Sequence, residues 1–235
     1  MQEKYDIIGD VHGCFNALRR LCHALGYNES YYHPQGRRLV FLGDLIDRGP
    51  DTIGVLRLVS RLVSRGRALL TLGNHDDALL RCLCGESVDI SKGGLARTLV
   101  EIEARTDKKI LKKAILGLYI DTPLYLVLDG GALIVAHAGI EEEMIGKIDP
   151  ETRRFVLNGD AIGKTADGKT LRRDWAADYK GEAFIVYGHT PQESAVVCRN
   201  TVNIDTGAYR GGMLTAFRWP ERTLVSVPSR FREWE

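Results

Sequence analysis

The chain has 235 residues, 44% of them hydrophobic and 27% charged, with a formal net charge of +1. That balance is ordinary for a globular protein able to bury a core without disulfides, and it offers no global field to attract nucleic acid or a membrane. No apolar run approaches a bilayer span and the opening residues lack a signal-peptide pattern, so the mature protein is expected to begin near Met1.

The first third alternates strand-like and helix-like runs. KYDIIGD (4–10) precedes a helical pattern over Cys14–Leu25, with Phe15, Leu18, Leu21 and Cys22 on one stripe. RLVFLGD (38–44) precedes Thr52–Val63, where Ile53, Leu56, Val59, Leu62 and Val63 keep a helical period. ALLTLGN (68–74) precedes Asp76–Cys84. This rhythm predicts parallel strands joined by crossover helices, an α/β fold. Gly93–Leu118 predicts two helices, with Lys108, Lys109, Lys112 and Lys113 on a solvated face. Arg57, Arg61, Arg65 and Arg67 read the same way.

From Leu124 onward strands dominate: LYLVLDG, ALIVAHAG, AFIVYGHT, TVNIDTG, MLTAFRW and TLVSVPS. The glycines within VLDGGALIV mark a hairpin. Ile148–Asp174 is polar and irregular, expected as a long loop or small helices of the kind that often carry function. No repeat or linker divides the chain, so a single domain over residues 1–235 is expected. Five scattered cysteines, Cys14, Cys22, Cys82, Cys84 and Cys198, read as reduced thiols in a cytoplasmic protein. The lone Cys82–Cys84 pair has no second half to complete a metal site.

The strand ends share one chemistry. Asp10 and His12 follow the first strand, Asp44 the second, and Asn74 and His75 the third. His137, His189 and Asp205 close three of the later ones. Singly, each aspartate reads as a turn former and each histidine as a hydrogen-bonded core residue. Their recurrence at one edge, often after glycine, is hard to produce by packing, and the carboxyl edge of parallel strands is where ligands bind. Carboxylate and amide oxygens mixed with imidazoles suit manganese, iron, zinc or nickel. Six such groups exceed the needs of one tetrahedral zinc, so two metal ions are implied.

GDVHG, GDLIDRG, GNHD, HAG and GHT, in this order, resemble the phosphoprotein phosphatase branch of the calcineurin-like metallophosphoesterases, over Tyr5 to about Pro228. RRDWAADYKGEAFIVYGHTP and NIDTG are most similar to two bacterial groups. These are the PrpE-type bis(5'-nucleosyl)-tetraphosphatases and the phosphatase module of bacterial polynucleotide kinase-phosphatases. The resemblance implies a central β-sandwich flanked by helices. It implies that Asp10 and His12 hold one divalent ion, Asp44 bridges two, and Asn74, His137 and His189 complete the second. Manganese leads among those ions, with nickel, iron or zinc open. A hydroxide bridging the metals would attack phosphorus in line. His75 would protonate the leaving oxygen, Asp47 would orient it, and Arg48 would clamp the phosphoryl group. Arg172 is a second clamp and Asp205 a further substrate-side group, whereas Arg173 is expected to be exposed.

Two departures matter. Asp76 stands where eukaryotic-type protein phosphatases usually carry Glu, and NIDTG differs from their ending, which weakens phosphoproteins as the main substrate. The expected reaction is hydrolysis of dinucleoside polyphosphates such as diadenosine tetraphosphate, with phosphomonoesterase activity. A phosphoprotein phosphatase, a nucleic-acid 2'- or 3'-end phosphatase and a non-catalytic phospho-ligand binder are the alternatives. The expected partner is a small phosphorylated or nucleotide substrate with no membrane; the oligomeric state is left open.

Overall fold

The computed structural model describes residues 3–165 and 170–231. Met1, the expected start, and residues 166–169 of the expected long loop lie outside them. In chain order the elements are β1 (Tyr5–Ile8), α1 (Phe15–Ala24), β2 (Arg38–Phe41), α2 (Thr52–Ser64), β3 (Ala68–Leu70), α3 (Asn74–Leu83), α4 (Leu95–Glu103) and α5 (Lys108–Tyr119). They continue with β4 (Tyr125–Leu128), β5 (Leu133–Ala136), α6 (Pro150–Asn158), β6 (Ala161–Lys164), β7 (Thr170–Arg172) and α7 (Trp175–Asp178). The last are β8 (Phe184–Tyr187), β9 (Val196–Cys198), β10 (Thr201–Asn203), β11 (Met213–Trp219) and β12 (Thr223–Pro228).

One sheet runs β12-β11-β1-β2-β3 and the other β4-β5-β8-β10-β9. Strands β1, β2 and β3 are mutually parallel, and so are β5, β8 and β10. Side chains alternate across each strand, which explains why these runs are apolar throughout. Ile7, Val40 and Leu42 point inward, against Leu133, Val135, Val186 and Val202 of the other sheet. Ile8, Leu39 and Phe41 join the core shared with α1 and α2, and Ile134, Ala136 and Ile185 that shared with Phe155 and Trp175. Every strand of the two parallel trios is thus covered on both faces. The result is the sandwich with flanking helices that the resemblance implied.

Helix starts follow local chemistry. The Asp51 carboxylate accepts from Gly54 N at 2.8 Å to cap α2, and Asp149 caps α6 from Thr152 N at 2.8 Å, with Pro150 in the first turn. The expected hairpin over 127–135 is β4–β5. Within Ile148–Asp174, expected as a loop or small helices, lies the short helix α6; the hairpin β6–β7 was not expected. Ile162 and Leu171 of that hairpin are exposed, so no buried face marks it. Lys108 and Lys112 pair with Glu103, and Arg57 pairs with Asp107, all on solvated surface. No helix among the described residues is long and apolar enough to cross a membrane.

Candidate metal centre and active site

Each strand of the two parallel trios delivers a donor just past its C-terminal end. Asp10 and His12 follow β1, Asp44 with Asp47 and Arg48 follows β2, and Asn74 with His75 opens α3 after β3. From the second sheet come His137 after β5, His189 after β8 and Asp205 after β10. The loops are tied backbone to backbone. Val11 N and His12 N both donate to Asp44 O, at 3.2 and 2.8 Å, and Gly188 N donates to His137 O at 2.7 Å. Of the ten non-glycine residues with positive φ among those described, five are His12, Asp44, Asp47, Arg48 and His189. Such backbone persists where surrounding contacts over-determine it, and here that is the site.

Gly43 and Gly73 make the crossing of two loops possible. A Cβ on Gly73 would fall 2.2 Å from Asp44 N and 2.3 Å from its Oδ1. Gly73→Ala is therefore expected to displace the Asp44 carboxylate, costing about 1–3 kcal/mol of stability by overpacking. Titration with Mn²⁺ should show weakened binding in this variant, and unchanged affinity would mean that Asp44 keeps its place.

The donor atoms converge. Asp44 Oδ2 lies 3.5 Å from His12 Nε2 and 3.5 Å from His137 Nε2, midway between two groups of ligands. Asn74 Oδ1 stands 3.1 Å from His137 Nε2 and 3.0 Å from His189 Nδ1, which are 3.2 Å from each other. Among the described residues, His12, Asp44 and His75 form one cluster able to hold a metal ion and Asp44, His137 and His189 another. His12 Nδ1 sits 2.7 Å from Ile46 O and His137 Nδ1 3.1 Å from Leu42 O. With those nitrogens donating, each ring turns the lone pair of Nε2 into the site.

The electrostatics describe a site short of positive charge. Burial, then Asp205 and Asp44, push the Asp10 carboxyl well above its ordinary range. Burial pushes Asp205 up to about 6, with Asp44 adding to it against the Gly207 amide. Asp10 Oδ1 and Asp205 Oδ2 are buried and have no hydrogen-bond partner among the described residues. Burial likewise lowers the pKa of His12 and His137, and takes His189 to about 3 with help from His137. For Asp44 burial acts in the opposite direction, yet the imidazoles of His137, His75 and His12 hold it below the carboxylate range.

These observations test whether metal ions fit. Donors about 3 Å apart match neighbouring corners of a shell with bonds of roughly 2.1 Å. Orphaned carboxylate oxygens, imidazole nitrogens and an amide oxygen are what divalent ions take. The residues fit.

His75 differs from the other histidines. Its Nδ1 is 2.5 Å from Asp47 Oδ2, and its Nε2 is 3.1 Å from Arg48 Nη2. Burial would lower its pKa, but Asp44 and the hydrogen bond to Asp47 raise it. Thr98 Oγ1 donates to the other Asp47 oxygen at 2.6 Å, making a line Thr98–Asp47–His75. The Arg48 guanidinium lies 4.3 Å over the ring of Tyr209, which is itself buried edge-on against His12. On the far side, Arg172 Nη2 is 2.9 Å from His189 Nε2. Arg173 turns away to Asp160 and Glu141, as an exposed ion-pair partner. Asp76 also stays out of the donor cluster: it is fully buried and holds Leu45 N at 3.1 Å and Tyr119 Oη at 2.8 Å, bracing the Asp44 loop.

Residues 4–210 match the family model of the calcineurin-like phosphoesterases. The chain belongs to that family. Its members use a binuclear divalent metal centre, and this one is a metal-dependent hydrolase of phosphoric esters or anhydrides. It is 47% identical over 231 residues to the asymmetrical bis(5'-nucleosyl)-tetraphosphatase PrpE of Anoxybacillus flavithermus, covering 96% of this chain and 94% of that one. The enzyme of the same name from Geobacillus thermodenitrificans is 46% identical over 230 residues, with coverage of 95% and 94%. A solved structure described as that of a candidate diadenosine tetraphosphatase superposes with a TM-score of 0.71 at 24% identity, covering 97% of this chain and 94% of that one.

Thr98, which bonds Asp47, and Tyr209, which lies under Arg48, were not anticipated from the sequence. Thr98 left a signal: it falls on the buried stripe of α4 with Leu95 and Ile102, where a hydroxyl needs a partner. Tyr209 sits in a short turn between Gly207 and Gly211, with no periodicity to point at it.

Proposed function

We propose that this chain hydrolyses dinucleoside polyphosphates, diadenosine tetraphosphate foremost, to ATP and AMP, with weaker phosphomonoesterase activity. It acts as one catalytic domain over residues 1–235, in the cytoplasm. The observation that carries the substrate is the end-to-end identity of 47% to relatives named asymmetrical tetraphosphatases.

Asp10, His12 and Asp44 hold one divalent ion and Asp44, Asn74, His137 and His189 a second, manganese being the first choice. Asp205 adds its free oxygen at the Asp10 side. Bound there, the ions supply Lewis acidity and lower the pKa of water. The protein's own groups do the rest. Arg48, held over the Tyr209 ring, presents two nitrogens to phosphoryl oxygens, and Arg172 approaches from the His189 side. His75 carries the proton at Nε2 to the leaving oxygen while Asp47 and Thr98 fix its ring.

Arg48→Lys keeps the charge and loses the planar fork that stacks on Tyr209. It should lower kcat/KM by about ten- to a hundredfold on phosphate substrates generally. Wild-type values on several substrates would make Arg48 a structural partner of His75.

Chromatography of the products tests the substrate reading. Asymmetric attack by one water on diadenosine tetraphosphate gives ATP and AMP in equal amounts, whereas symmetric attack gives only ADP. Rapid turnover of RNA-end phosphates or phosphopeptides, with diadenosine tetraphosphate untouched, would overturn it.

A further inference from the structure

One wall of the metal-donor cluster is also the wall of a second space. A cavity of about 280 Å³ opens between the Arg172–Trp175 segment and the ends of β8 and β10. Arg172 separates the two: its Nη2 lies 2.9 Å from His189 Nε2, and its Nε is fixed to Asn158 O at 2.9 Å. Anything extending from a phosphate held at Arg172 has this cavity beside it.

The lining suits a flat ring. Tyr187 is half-buried and packs edge-on against Trp175 at 4.8 Å. Trp175 cannot swing away, because it presses on bare backbone: a Cβ on Gly139 would fall 2.0 Å from the indole. Phe155 meets the same indole at 6.1 Å. Val196 lines the cavity as well and is 43% exposed, an apolar surface left for a ligand to cover.

The polar groups narrow the class. Asn203 is already committed, its amide donating to Thr190 O at 3.0 Å and its oxygen accepting from Asp205 N at 2.9 Å. Asp160 is neutralised by Arg173. The exposed Asp174 carboxylate and the side-chain oxygen of Gln192, whose amide nitrogen donates to Thr190 O at 3.2 Å, offer acceptors, and Thr190 and Tyr187 add hydroxyls to the lining. These groups suit an occupant with a flat ring and hydrogen-bonding groups on its edge or sugar, its charge carried by the phosphates at Arg172. A nucleoside fits: its base offers a π-face and amino donors, and its ribose offers hydroxyls.

We propose that this cavity is a nucleoside subsite, holding a purine nucleoside of the substrate while its phosphates pass Arg172 into the metal centre. The proposal rests on the dinucleotide reading above and specifies where one end of that substrate binds. It makes Val196, Gln192 and Asp174 determinants of specificity, separate from the groups that act on phosphorus.

The test compares the Mn²⁺-loaded wild type with Val196→Trp, which fills the cavity from an exposed position, and with Asp174→Asn, which keeps shape and removes charge. For each, kcat/KM on diadenosine tetraphosphate is divided by kcat/KM on p-nitrophenyl phosphate. The ratio is expected to fall tenfold or more in Val196→Trp and about threefold in Asp174→Asn. Melting curves check that both variants fold. Ratios unchanged in both folded variants would overturn the subsite. If the wild type turns over p-nitrophenyl phosphate but not diadenosine tetraphosphate, the substrate reading fails by itself. The subsite is then decided by calorimetric titration with adenosine and guanosine: binding by wild type, lost in Val196→Trp, upholds it, and no binding at millimolar nucleoside overturns it. A loss of kcat/KM confined to a phosphotyrosine peptide, with diadenosine tetraphosphate unaffected, would overturn the subsite and assign the cavity to a peptide ring instead.

Discussion

Asp44→Asn is expected to abolish most of the activity, lowering kcat/KM by about three orders of magnitude or more, equal to about 4 kcal/mol of transition-state stabilisation. No other single change among the donors should cost as much. The reason is geometric. Asp44 Oδ2 is equidistant from His12 and His137, and Oδ1 accepts from His75 N at 3.0 Å, so one carboxylate serves both halves of the site. Asparagine keeps the shape and the contact to His75 but removes the charge. Metal content measured beside activity separates the causes: the variant should retain fewer than two ions per chain. Two tightly held ions and near-normal turnover would end the view of Asp44 as a shared ligand.

Replacing His75 by alanine should cost two to four orders of magnitude on substrates with poor leaving groups, the range of general-acid catalysis. On p-nitrophenyl phosphate the loss should be far smaller, since a stable phenolate leaves without a proton. The structure adds a graded control. Thr98→Val removes only the hydroxyl that donates to Asp47, so it should repeat the leaving-group pattern at reduced amplitude. Equal losses on good and poor leaving groups would instead place His75 in phosphate binding, consistent with its contact to Arg48.

Strands β1, β2 and β3 and their edge donors were legible because buried strands read as apolar runs and glycine marks where each run stops. The pairing of two sheets was not legible from period. Ile7 and Ile8 are equally apolar, yet one faces the opposite sheet and the other the helices. The resemblance of five ordered motifs supplied what alternation could not. Helix α3 begins at Asn74, ahead of the expected Asp76, because the polar Asn-His-Asp-Asp run hides a first turn whose Asp76 side chain faces back to Gly73 N at 3.3 Å. Hairpin β6–β7 escaped notice because it buries no large apolar side chain, and the cavity beside Arg172 escaped it because its walls come from five separated segments.

Asp44 and Asn74 belong to one sheet, His137 and His189 to the other, and their donor atoms meet at 3.0–3.5 Å. Any ion held between them is therefore a rivet through the sandwich as well as a reagent. An unfolded chain has no such arrangement, so the free ion concentration enters the folding equilibrium by mass action, adding about 2.7 kcal/mol at a hundredfold excess over Kd. Scarcity of the metal then shortens the life of the molecule at the same time as it silences it.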